Sequence, residues 1–142
     1  MAVENIERYE LVENSSEYFE FIRTLRNHPQ LKRGFVKQNE ISILEHSEYM
    51  MKNASNYFVC LVSGKPAGYI GVVDDDIRLA VDPQYQNVGV GKFMVKEIIK
   101  IYPNAHAKVK RENYVSMNLF KSLEFTEEFV IFTQENATKQ YE

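Results

Sequence analysis

Ile77-Arg78-Leu79-Ala80-Val81-Asp82-Pro83-Gln84-Tyr85-Gln86-Asn87-Val88-Gly89-Val90-Gly91-Lys92 runs from an apolar strand, through a proline turn and two glycines, into a helix. The strand is read as Ile77–Val81, closed by Asp82-Pro83, and the amphipathic helix as covering about 88–101. Strand, tight loop and helix together form a phosphate cradle. Glycines let backbone N–H groups converge on an anion, and the helix N-terminus adds its dipole. A nucleotide-triphosphate loop wants Ser or Thr after the lysine and a glycine where Gln86 stands, but Phe93 follows Lys92. A dinucleotide fingerprint wants a third glycine, where Met94 stands, and wants it after the first strand of a domain. A plainer reading gives Gly89 and Gly91 only to close helix–strand packing.

Upstream, residues from about 3 to 12 read as a first strand. Ser15-Ser16 caps a helix running to about Asn27, which His28-Pro29 stops. A second helix covers about 40–53, and Tyr57–Val62 turns through Ser63-Gly64-Lys65-Pro66 into Ala67–Val73 as a hairpin. Asp74-Asp75-Asp76 separates that hairpin from Ile77–Val81. Downstream, Ala105–Val109 reads as a strand, Tyr114–Leu123 as a helix and Phe125–Thr133 as a last strand. The order β-α-α-β-β-β-α-β-α-β predicts an α/β fold, a mixed sheet covered by helices on both faces.

Composition narrows the function. The 142 residues suit one domain, read as 1–134 with a polar tail at 135–142. Seventeen basic against twenty acidic residues give a net charge of −3, which argues against nucleic acid or an anionic membrane as partner. The single cysteine, Cys60, excludes a disulfide framework and lies in an apolar strand as a core thiol. No apolar run nears the ~18 residues of a membrane span, and the N-terminus lacks signal-peptide character, so a cytoplasmic location is expected. His28, His46 and His106 have no partners at metal-ligand spacing, and no metal is expected.

Gln86-x-x-Gly89-x-Gly91 after Leu79-Ala80-Val81-Asp82-Pro83 resembles the acetyl-coenzyme A motif of the GNAT N-acetyltransferase superfamily. Asn113-Tyr114-Val115-Ser116-Met117-Asn118-Leu119-Phe120-Lys121-Ser122-Leu123-Glu124-Phe125 resembles that family's second motif. The resemblance implies a single GNAT domain with strands splayed at the cofactor site, and acetyl-CoA as co-substrate. It implies that backbone groups of Leu79, Ala80 and Val81 hold the acetyl and pantetheine portion. The amides of Gln86, Asn87, Val88, Gly89, Val90, Gly91 and Lys92 would hold the pyrophosphate, and Asn113 the pantetheine or adenosine arm. Lys92, Lys96 and Lys100 line one helix face, either as a solvated stripe or with Lys92 reaching a phosphate. Lys108-Val109-Lys110-Arg111 is a candidate for the 3′-phosphate or a solvated strand edge.

Acetyl transfer to an amine needs an unprotonated nucleophile, a polarised thioester carbonyl and a proton for the leaving thiolate. The Val81 N–H suits the carbonyl oxygen. The family's usual proton-donating tyrosine is Phe120 here, a glycine is Glu124, and a carboxylate of some members is Lys108. The replacements considered are Asp75, against a solvated turn; Tyr114 or Tyr85, against packing residues with wet tips; and His46, against a satisfied core histidine. Leu25-Arg26-Asn27-His28-Pro29 and Ile41-Ser42-Ile43-Leu44-Glu45-His46 resemble a subgroup acting on nucleotide-linked amino sugars. That resemblance assigns the acceptor to Arg26 and Asn27, with Lys32 and Arg33 nearby, against a helix stop with solvated charges. The function expected is acetyl-CoA-dependent N-acetylation of a primary amine on a small acceptor by direct attack in a ternary complex. A protein or peptide amine, or a non-catalytic acyl-CoA-binding module, are the alternatives, and a homodimer is an option the sequence leaves open.

Overall fold

A computed structural model of the chain describes residues 8–35 and 40–135. Strand β1 (Tyr9–Glu13) leads through a 3-10 turn at Ser16–Tyr18 into helix α1 (Phe19–Arg26). Ser15 starts that turn with its carbonyl, which accepts from the Tyr18 N–H at 2.9 Å, and not with its side chain. Residues 3–7 of the expected first strand lie outside the described residues. His28-Pro29 both ends α1 and opens the one-turn helix α2 (Pro29–Lys32), because the His28 ring accepts from the Gln30 N–H at 3.2 Å. Helix α3 (Ile43–Asn53) starts at Ser42, whose hydroxyl accepts from the Glu45 N–H at 3.1 Å, the spacing of a capping box.

Strands β2 (Tyr57–Val62), β3 (Lys65–Val73) and β4 (Asp76–Val81) follow, and the sheet order is β1-β2-β3-β4, antiparallel throughout. Both hairpins turn on two residues of positive φ, Ser63-Gly64 and Asp74-Asp75, the conformation whose twist suits paired strands. Helix α4 (Val90–Ile101) packs Val90, Met94, Val95 and Ile98 on one face of the sheet against Cys60, Ile70, Val72 and Ile77. Helices α1 and α3 cover the other face, where Ile22, Leu25 and Met50 meet Tyr57, Val59, Tyr69 and Ala80. Covered on both sides, β3 is buried continuously from Ala67 to Val72, which is why its sequence reads as an apolar run without alternation.

The fold class is the expected α/β one, with a shorter sheet. In place of a strand at 105–109 there is one parallel bridge between Asp76 and His106, with Ile77 N–H donating to His106 O at 2.7 Å and His106 N–H to Asp75 O at 2.8 Å. Beyond it the segment leaves β4, and among the described residues no further backbone bond joins the two. The mixed character of the sheet is confined to this bridge. The last strand expected at Phe125–Thr133 does not form: residues 126–135 are exposed and unladdered, with Phe129 and Phe132 85% and 91% exposed. A β-prone segment needs a partner edge, and the 105–109 segment forms no ladder to extend. Helix α5 (Tyr114–Ser122) starts at Asn113, whose side-chain oxygen accepts from the Ser116 N–H at 3.2 Å. Of the expected polar tail, residues 136–142 lie outside the described residues.

Candidate active site

Where the 105–109 segment diverges from β4, a cleft of about 970 Å³ opens between Leu79–Val81 on one side and Ala107–Val109 on the other. Antiparallel pairing sends the backbone groups of successive residues to opposite edges. Ile77 N–H points to His106 and Asp82 N–H to Ala67 O at 2.8 Å, so Leu79 and Val81 turn their N–H and C=O into the cleft. Splaying leaves these edge groups without a ladder partner, ready for an amide-bearing ligand.

The start of α4 closes one end of the cleft. Gly89 sits at φ +89, ψ 8, left-handed backbone that favours glycine, and among the described residues no side chain caps the helix, so its first-turn amides stand open. Gln86 braces the loop by donating from Nε2 to Val81 O at 3.5 Å, and the Tyr9 hydroxyl holds it by donating to Val88 O. Gly91 serves packing, since a Cβ there would lie 3.3 Å from Leu119 of α5. Lys92 lines the cleft in the first turn, whereas Lys100 pairs with Glu97 at 3.0 Å. Asn113 also lines the cleft, with its side chain engaged by the protein: besides capping α5, Nδ2 donates to Gly34 O at 3.3 Å. Together with Lys110 Nζ donating to Arg33 O at 3.2 Å, this bond ties the segment after α2 to the one before α5.

The opposite end lies between β4 and the helices α1 and α3. Cross-strand pairing sets Asp76, Arg78 and Ala80 on the face that carries Tyr69 and Gly71. Gly71 leaves room for the Tyr57 ring, whose hydroxyl meets that of Tyr49 at 2.6 Å. Arg78 Nη1 donates to the Tyr49 oxygen at 3.3 Å, and its Nε stands 3.6 Å from Asp76 Oδ2. The Arg26 guanidinium lies 4.7 Å from the Tyr49 ring centroid, a cation–π contact. Asp76 is 8% exposed, and its Oδ1 has no hydrogen-bond partner among the described residues. Burial pushes the Tyr57 and Tyr69 hydroxyls well above the ordinary tyrosine value, so both stay protonated.

Of the residues read from sequence, Leu79, Ala80, Val81, Gln86, Asn87, Gly89, Val90, Gly91, Lys92 and Asn113 come together around the cleft, joined by Arg26. Val88 is exposed beside it and meets Tyr9 through its carbonyl. Asp75, Tyr114, His46 and Asn27 fall outside. Asp75 lies exposed in the hairpin turn, and the next residue, Asp76, is the carboxylate lining the cleft. Tyr114 is 73% exposed at the first turn of α5. Asn27 is spent on the backbone of Ile41, donating to its O and accepting from its N–H, both at 2.8 Å. His46 is buried, with Nε2 donating to Phe19 O at 2.7 Å. Its Nδ1 is left to accept from Arg26 at 3.4 Å, so it orients the arginine from behind. Burial, opposed by the Phe19 hydrogen bond, holds this imidazole below its ordinary pKa and therefore neutral. Tyr49, Tyr69, Asp76 and Arg78 were missed, although β alternation from Ala80 back to Arg78 and Asp76 was a usable signal.

The fold and the splayed, amide-lined cleft are those of an acyltransferase domain. A family model described as the acetyltransferase (GNAT) family matches residues 13–125, and the chain belongs to that family, whose co-substrate is acetyl-CoA. No curated protein matches the sequence. Among solved structures, a domain from Methanocaldococcus jannaschii superposes with a TM-score of 0.77 at 19% identity, covering 87% of this chain and 91% of that one. Spermidine N-acetyltransferase from Vibrio cholerae, in complex with CoA and spermine, gives 0.72 at 19% identity, with 85% and 82% covered. An aminoglycoside N-acetyltransferase in complex with CoA gives 0.68 at 17% identity, with 96% and 100% covered. At these identities the likeness is one of fold. Among the described residues no helix is long and apolar enough to cross a membrane.

Proposed function

We propose that this chain transfers the acetyl group of acetyl-CoA to the primary amine of a small acceptor, by direct attack within a ternary complex. The observation that carries the reading is the pair of cleft-facing backbone edges at Leu79 and Val81, ending at the open amides of α4. Those edges suit the amides of a pantetheine arm, the open helix turn suits a pyrophosphate, and Lys92 adds charge there. When bound, the co-substrate supplies an activated thioester carbon. The Val81 N–H is then the donor for the carbonyl oxygen, and the two ends of the cleft hold carbon and amine in line.

Asp76 takes the role for which Asp75 was a candidate. Its unpartnered, buried oxygen beside Arg78 suits a hydrogen bond to the acceptor ammonium or to the proton it sheds. A small acceptor fits better than a protein, because the Gly34–Asn113 bond joins two segments that line the cleft. Within small amines, the stretches around Arg26 and Ile41 still nominate a nucleotide-linked amino sugar, and Arg26 is the nominated residue that faces the cleft. The solved neighbours described as spermidine and aminoglycoside acetyltransferases supply the other acceptors to try. The cytoplasmic location and the option of a homodimer belong to the same proposal.

The test is thermal unfolding with acetyl-CoA, CoA and ATP, followed by thiol release over nucleotide-linked amino sugars, aminoglycosides, polyamines and peptides. Ligand at about 100 times its Kd adds about 2.7 kcal/mol to stability, a shift of several degrees. No shift with acetyl-CoA or CoA sinks the reading, and turnover restricted to peptides replaces its acceptor half.

A further inference from the structure

The motif resemblance gives Asn113 to the coenzyme, but its side chain is engaged by the protein at both ends of the amide. Oδ1 accepts from the Ser116 N–H at 3.2 Å, which starts α5, and Nδ2 donates to Gly34 O at 3.3 Å. An N–H only donates and a carbonyl only accepts, so these two partners fix which way the amide faces. Gly34 is fitted to the contact. A Cβ there would stand 2.6 Å from Asn113 Nδ2 and 3.3 Å from its Cγ, so any larger residue would drive the amide off the carbonyl. Gly34 is not among the glycines of positive φ, so what glycine supplies here is the close approach.

One wall of the cleft hangs from this bond. Leu31, Gly34 and Phe35 line the cleft, and Leu31 and Phe35 pack on the core that holds Tyr57, Tyr69 and Ala80, at the end proposed for the acceptor. The Gly34 N–H donates to Leu31 O at 3.0 Å and the Phe35 N–H to Lys32 O at 3.1 Å, so the wall is a turn continuing from α2. Lys110 Nζ, donating to Arg33 O at 3.2 Å, is an exposed second tie. Helix α5 also sets Leu119 against Gly91 in the first turn of α4, where a Cβ would lie 3.3 Å from it. The helix therefore stands between the wall and the amide cradle, and the Asn113 amide is where it meets the wall.

We infer that Asn113 is a positioning residue for the acceptor: its amide clamps the wall at residues 31–35, and its side chain is not a ligand of the coenzyme. The inference rests on the acetyltransferase reading above.

Two variants break the clamp from opposite sides. Asn113→Ser keeps an oxygen to cap α5 and loses the donor to Gly34. Gly34→Ala keeps the asparagine and displaces its amide. Both are compared with wild type by acetyl-CoA calorimetry, by hydrogen exchange, and by thiol release with UDP-glucosamine, kanamycin and spermidine as probe amines. Acetyl-CoA affinity is expected within about twofold of wild type in both. Exchange of the Gly34 and Phe35 amides should rise about fivefold, the worth of one hydrogen bond, while that of Met94 and Val95 in α4 stays level. KM for the probe amine that wild type turns over best should rise about fivefold, with kcat held within about twofold. The double variant should match the single ones, because serine leaves room for the new Cβ. A loss of acetyl-CoA affinity beyond about fivefold in Asn113→Ser overturns the proposal by making the amide a coenzyme ligand. Unchanged exchange at Gly34 and Phe35, or a fall in kcat with KM unchanged, overturns it as well. Failure of acetyl-CoA to bind wild type, or to release thiol with any of the three amines, would count against the acetyltransferase reading instead, and the exchange comparison would still decide the clamp.

Discussion

Gly71→Ala separates the two ends of the cleft. A Cβ at this position would stand 2.5 Å from Tyr57 Cδ1 and 2.6 Å from Cε1, distances that real carbon atoms do not hold. Tyr57 is 2% exposed and packed by Tyr49 and Tyr69 at centroid distances of 5.9 Å each, so the ring has nowhere to retreat. Overpacking a core costs about 1–3 kcal/mol, and loss of the Tyr57–Tyr49 hydrogen bond costs about 1 kcal/mol more. For a domain of this length, that is a drop in Tm of roughly 8–15 °C. Gly64→Ala is the control for backbone strain, since Gly64 has φ +84 and, among the described residues, nothing within 4 Å of a Cβ placed there. Displacing Tyr57 unseats Tyr49 and Arg78, while the amides of α4 and the edge of Leu79 and Val81 stay in place. Calorimetry and acetyl-CoA titration at a temperature where the variant is folded should therefore show lower stability with affinity for acetyl-CoA within about threefold of wild type. Acceptor turnover should fall by at least tenfold. A variant as stable as Gly64→Ala, or one that loses acetyl-CoA affinity and acceptor turnover together, would refute the division of the cleft into two independently built ends.

Gly89→Ala meets no steric obstacle, the nearest atom being a Tyr9 ring carbon at 3.8 Å, so its cost is left-handed backbone strain of about 1–2 kcal/mol. Acetyl-CoA affinity measured by calorimetry should fall about tenfold or more as the loop relaxes, and unchanged affinity would remove the amide cradle from the site. Asp76→Asn should lower acceptor kcat/KM by about tenfold or more with acetyl-CoA affinity retained, whereas Asp75→Asn should match wild type; the reverse pattern would restore the carboxylate expected from sequence. His46 is neutral in the fold, its pKa held down by burial, so the unfolded chain takes up a proton first as pH falls. Its contribution to stability is therefore whole above about pH 6.5 and lost as pH drops below that value towards the folded-state pKa. Tm of wild type should fall across this window more steeply than that of His46→Gln, and parallel curves would show that the histidine is not held neutral.

The end of the cleft proposed for the co-substrate was legible in the sequence because its parts are backbone groups of one continuous stretch. Leu79 to Lys92 carries the strand edge, the proline turn, the positive-φ glycine and the helix start in order, and each is a local property of its residues. The end proposed for the acceptor was not legible, because Arg26, Tyr49, Tyr69 and Arg78 come from α1, α3, β3 and β4 and share no spacing. What joins them is the absence of a side chain at Gly71 and the register of β3 on β4, both tertiary facts. The choice of Asp75 over Asp76 shows how finely this depends on register. With Asp74 and Asp75 both at positive φ, the turn holds two residues and the strand begins at Asp76. A shift of one residue changes the face of every side chain that follows. The unladdered 105–109 segment makes the same point in reverse. Its alternation of Ala105, Ala107 and Val109 is that of a strand, yet the edge it would pair with is the one proposed to receive the co-substrate. A closed ladder from Asp76 to Val81 would fill the cleft with backbone hydrogen bonds and leave no room for the co-substrate proposed there.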